Sequence, residues 1–79
     1  MSAEKYIERL KAQVRALHYV QKLINHHAKR MSQAQRWYRI ADAEGNQLWK
    51  SHLITMGDDA FRECGRWSNE YRRVQAYEL

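Results

Sequence analysis

The first 44 residues contain neither glycine nor proline, and their apolar residues fall on one side of a helix. Ile7, Leu10, Val14, Leu17, Ile24, Ala28, Met31 and Tyr38 follow steps of three and four, with two steps of seven. This pattern predicts one long helix carrying a single seam, and a seam needs a partner. A helix of about 40 residues is about 60 Å long. A compact globule of 79 residues has a radius of gyration of only about 12 Å. A straight helix of that length does not fit inside such a globule. The chain is therefore expected to be all-α and elongated: a long helical hairpin, pairing with a second copy as a homodimer into a dimeric four-helix bundle. Gln21 and Gln35 lie at seam positions, where polar residues set register at some cost in stability.

The predicted boundaries form a single helical domain, 1–79. Helix one spans about 2–43, the turn about 44–46, and helix two about 47–77. Ser2 suits the first N-cap, and Glu4 stands where the helix dipole favours an acid. Gly45 suits a left-handed position after the first helix, and Asn46 can cap the second. The second seam reads Leu53, Ala60, Cys64, Trp67, Tyr71 and Val74, flanked by Trp49, Met56 and Phe61. Two local alternatives stay open. Gly57-Asp58 can break helix two, because Gly ends helices and Asp caps them. Residues 37–50 can instead form a β-hairpin, since Trp37–Ala41 and Gln47–Lys50 flank a Gly-Asn turn.

The net charge is +5, and its distribution is uneven. Arg9, Lys11, Arg15, Lys22, Lys29, Arg30, Arg36 and Arg39 lie in a stretch, 9–41, that holds no Asp or Glu. From Asp42 onward, seven acids outnumber five bases. Arg15, Lys22, Lys29 and Arg36 are seven apart and line one edge of the first helix. A solvated helix face ordinarily mixes signs. A one-signed stripe suits an acidic protein surface or a nucleic-acid backbone. Glu63 and Glu70 are the internal alternative, as ion-pair partners for Lys11 or Arg39. Trp37 falls off the seam between Arg36 and Arg39, near Tyr38 and Trp49. It is either the seal of the bundle end or a partner anchor, since Trp and Arg dominate interface hot spots.

Catalytic and cofactor signatures are missing. His18, His26, His27 and His52 show no metal-ligand spacing, and surface positions are expected for them. Cys64 has no base at a suggestive spacing, and the isolated glycines form no phosphate-cradling loop. Neither a helix-turn-helix nor a zinc-finger signature is present. Apolar runs of two or three residues are too short for a membrane span. With one cysteine, the chain fits a reducing cytoplasm. The expectation is a non-enzymatic interaction protein without cofactor, metal, membrane or small-molecule substrate. It would bind and regulate a macromolecule with an acidic surface, as an adaptor or inhibitor, through Arg15, Lys22, Lys29, Arg30, Arg36, Trp37 and Arg39. A sequence-nonspecific nucleic-acid-binding dimer is the alternative.

Overall fold

The computed structural model describes residues 2–77. Two helices, α1 (Ala3–Glu44) and α2 (Gln47–Gln75), fold back on each other as an antiparallel hairpin 65 Å long and 13 by 12 Å across. The radius of gyration is 18.5 Å, well above that of a globule of this length.

Each boundary has a local cause. Ser2 Oγ accepts a hydrogen bond from the Lys5 N–H at 3.4 Å, which starts α1. Gly45 is left-handed, with φ of 69°, and ends it. The Asn46 N–H then reaches back to the Ala41 carbonyl at 2.9 Å, and the Gly45 N–H to that of Asp42 at 3.1 Å. Asn46 Oδ1 accepts from the Trp49 N–H at 3.0 Å and opens α2. Arg72 and Arg73 lie in the last turn of α2, where positive charge complements the dipole. The far end of α2 is tied across the hairpin. The Gln13 side-chain amide donates to the carbonyls of Val74 at 2.8 Å and Tyr77 at 3.3 Å, in the last turn of α2 and just beyond it.

Both alternatives of the middle region are decided. Residues 37–44 continue α1 as helix, so no β-hairpin forms there. α2 runs unbroken through Gly57-Asp58. Gly57 lies opposite Ala34, and a Cβ there would stand 3.8 Å from the Ala34 methyl. The glycine is a point of close helix approach, and Asp58 caps nothing. Helix two ends at Gln75, two residues before the predicted limit.

The seam itself differs from the expectation. The α1 residues that face α2 along the seam are Gln13, Leu17, Val20, Ile24, His27, Met31, Ala34, Tyr38 and Ala41, a strict four-three alternation. In heptad terms Leu17, Ile24, Met31 and Tyr38 are a positions, and the others are d. On α2 the a residues Lys50, Gly57, Cys64 and Tyr71 alternate with the d residues Leu53, Ala60, Trp67 and Val74. The second seam thus matches the sequence pattern. Among the described residues the buried ones are Val20, Ala34, Ala41, Leu53 and Ala60. Ile7, Leu10 and Val14 are exposed instead. The reason is geometric: α2 ends before the level of Ile7 and Leu10, and Val14 stands on the e edge beside the seam while small side chains let the two helices close over the alanine line. Residues 3–12 of α1 extend past the end of α2.

Candidate functional site

Because the seam uses a and d, the heptad f positions of α1 point straight away from α2. These are Arg15, Lys22, Lys29 and Arg36, and all four are exposed. Together they span 21 helical steps, or about 32 Å. Among the described residues none of them meets an acid at ion-pair distance. Three of the four acids of α2 are engaged near home. Asp59 pairs with Arg62 at 3.4 Å, Glu63 with Arg66 at 3.8 Å and Glu70 with Arg73 at 3.2 Å. Internal neutralisation of Lys11 or Arg39 by Glu63 or Glu70 therefore does not occur.

The other three predicted site residues lie off the stripe. Arg30 sits on the g edge, half-buried, with its guanidinium donating to His27 Nδ1 at 3.0 Å. Arg39 is exposed on the opposite edge, beside a groove lined by Met31, Tyr38, Ile54 and Phe61. Trp37 is also on the g edge, 47% exposed. Its ring leans on Trp49 with centroids 5.9 Å apart and planes tilted by 39°. Two residues of a helix differ by 200° in direction, so Arg39 and Trp37 face nearly opposite ways. The set divides into an outward basic row, a tryptophan pair near the turn, and a lone arginine at the groove.

The chain matches no family model, no curated protein and no solved structure.

No group of three His, Cys, Asp or Glu among the described residues is placed to hold a metal ion. No described helix is long and apolar enough to cross a membrane. His27 departs from the expected surface position. It is a seam d residue, with Nε2 4.0 Å from Glu63 Oε2. The same carboxylate oxygen accepts from the Trp67 indole N–H at 3.0 Å. This polar cluster fills the g edge and gives the adjoining Arg30 a structural task. The sequence signal for it was the His27-to-Glu63 match across the turn, which becomes visible only once the true register is known.

Two further features escaped the sequence pattern. Leu48 is 87% exposed at the hairpin tip, next to the tryptophan pair in sequence. Lys50 Nζ donates to Asp42 Oδ1 at 2.7 Å and lies 5.5 Å from the Tyr38 ring centre. The hydrogen bond to Asp42 holds the Lys50 ammonium above its ordinary value of 10.5. The turn thus carries a fixed charge clamp on one edge and an aromatic pair on the other.

Proposed function

We propose that this chain is a small non-enzymatic interaction protein of the cytoplasm. It forms a dimeric four-helix bundle that binds and regulates a macromolecule with an acidic surface, in the manner of an adaptor or inhibitor. The carrying observation is the outward row Arg15, Lys22, Lys29 and Arg36: one sign, one line, and no acid at ion-pair distance among the described residues. A row left unneutralised keeps its potential available to a partner, which raises association rate and sets orientation. Trp37, half-exposed and braced by Trp49, supplies a rigid aromatic anchor beside the row. A protein partner is favoured because the tip also presents Leu48, an apolar contact that a phosphate backbone does not use.

The second reading is a sequence-nonspecific nucleic-acid-binding dimer using the same row. It is supported by the even spacing of the charges and requires no base-reading element. One experiment separates the two. The chain and a variant with Arg15, Lys22 and Lys29 changed to Glu are used as baits in cell lysate, with and without nuclease. A partner kept after nuclease and lost from the variant supports the protein reading. Capture abolished by nuclease, with affinity falling log-linearly in salt, supports nucleic acid. Equal capture by both baits removes the row from the site.

A further inference from the structure

The two edges of the hairpin seam are built differently. On the g edge Ala16, Leu23, Arg30, Trp49, Met56, Glu63 and Glu70 are partly covered and cross-linked by polar contacts. On the e edge α1 presents Ile7, Val14, Gln21, Ala28 and Gln35, and α2 presents Ile54, Phe61, Ser68 and Gln75. Among the described residues the one charged e position is Asp42, which is tied to Lys50 near the turn, yet Ile7, Val14, Ile54 and Phe61 are 47%, 45%, 51% and 68% exposed. Resting on the dimeric reading above, we propose that the e edge is where a second copy docks, and that the copies run antiparallel with Gln21 and Ser68 on the two-fold axis.

The area fits a dimer. One chain exposes 6475 Å². A compact monomer of 9.6 kDa exposes about 5,100 Å² by surface scaling. The excess, about 1,400 Å², is more than the ~800 Å² per partner of a standard interface.

The register follows from the chain's own asymmetry. Cross-hairpin ties set the levels: Cys64 reaches the Ile24 carbonyl, and Gln13 reaches that of Val74. Phe61 therefore lies level with Ala28, Ile54 with Gln35, and Ser68 with Gln21. An axis through the Gln21 level places Val14 of one copy against Phe61 of the other. It also places Ile7, on the segment that extends past α2, in the partner's groove of Met31, Tyr38 and Ile54. The extension and the groove thus fill each other. Glu4 and Arg39, which border the edge at its two ends, come level across the interface with opposite charge. In a parallel pair Ile7 and Leu10 lie beyond both α2 helices and the groove stays open. Polar Gln21 and Ser68 at the centre fix the register, as a buried amide does in a coiled coil.

This pairing sets α1 beside its symmetry mate. Both basic rows then lie on one side of the bundle, so four charges become eight on a single face.

Sedimentation equilibrium and cysteine cross-linking test the proposal separately from the function. They are run in a Cys64→Ser background that sediments like the parent chain. The expected mass is twice the 9.6 kDa of one chain. Gln21→Cys is expected to cross-link with itself on mild oxidation. Ile7→Cys is expected not to do so alone, but to cross-link when mixed with Ile54→Cys chains. A single-chain mass at tens of micromolar overturns the dimer itself and leaves the edge to a different protein. A dimer in which Ile7→Cys cross-links with itself and Gln21→Cys does not overturns the antiparallel register only.

Discussion

Gly57 and Ala34 meet across the seam so closely that a methyl on Gly57 would lie 3.8 Å from the Ala34 methyl, an ordinary van der Waals contact. The space admits one carbon without displacement. Gly57→Ala is therefore expected to stabilise the hairpin by about 0.5–1 kcal/mol through helix propensity alone. Gly57→Leu is expected to lower stability by about 1–3 kcal/mol, because the extra atoms force the helices apart. Thermal melts of the two variants give the comparison.

The basic row predicts a fold that tolerates charge reversal. Arg15, Lys22 and Lys29 touch nothing that holds the hairpin together, and exposed substitutions of this kind change stability by about 0.5 kcal/mol or less each. Changed together to Glu, they are expected to leave helicity by circular dichroism nearly unaltered. Partner binding is expected to fall at least tenfold, a difference of about 1.4 kcal/mol.

Trp37 combines a folding task and a binding task, and their sizes differ. Its contact with Trp49 is worth about 0.5–1.5 kcal/mol beyond area burial. Trp37→Ala is expected to lower stability by that order. As an anchor in a partner pocket it is expected to cost about 2 kcal/mol or more in affinity. Melting temperature and dissociation constant measured on the same variant separate the roles. A large loss of stability with normal affinity would assign Trp37 to the bundle end alone.

The Lys50–Asp42 clamp gives a pH signature. The ammonium is held above 10.5 chiefly by its hydrogen bond to Asp42, with burial acting the other way. A raised folded value means that the contribution is complete below the unfolded value and is lost as pH rises through the folded one. Melting temperature is therefore expected to decline above pH 10.5 more in the parent chain than in Lys50→Met. Parallel curves for both would show that the clamp contributes nothing.

Gln13 closes the other end. Its amide ties α1 to the Val74 and Tyr77 carbonyls at the end of α2. Gln13→Ala is expected to cost about 1 kcal/mol. The amides of the last turns of α2 should exchange faster by hydrogen-deuterium measurement, with those near Leu53 unchanged.

Much of the fold was readable from the residues. The caps Ser2 and Asn46, the left-handed Gly45 and the α2 seam all follow from local chemistry that acts within a few positions. The α1 seam was misassigned for a reason in the side chains themselves. α1 carries two adjoining apolar lines that share Leu17, Ile24, Met31 and Tyr38. Ile7, Val14 and Ala28 mark one line, and Val20, Ala34 and Ala41 mark the other. Hydrophobicity favours the bulky line, whereas close helix packing selects the alanines. The choice depends on what α2 offers in return, Gly57 and Ala60, and that is information from a distant segment. The site divided for the same cause. The Arg15–Arg36 row is visible from spacing alone and stays on the outer face. The directions of Arg30, Trp37 and Arg39 depend on where the seam lies.

The turn at Gly45 has a kinetic side. The ties across the hairpin join residues ever further apart in sequence as they recede from it: Lys50 to Asp42 spans 8, Cys64 to Ile24 spans 40, and Gln13 to Val74 spans 61. Closing the last of these first would mean ordering a long loop. Closing them in sequence from the turn reduces each step to one further helical turn, as contacts already formed bring the next pair together. Folding then runs as a zipper from Gly45 toward the termini, and opening runs in reverse. The chain's earliest structure is accordingly its tip, where Trp37, Leu48 and Trp49 stand ready before the far ends have met.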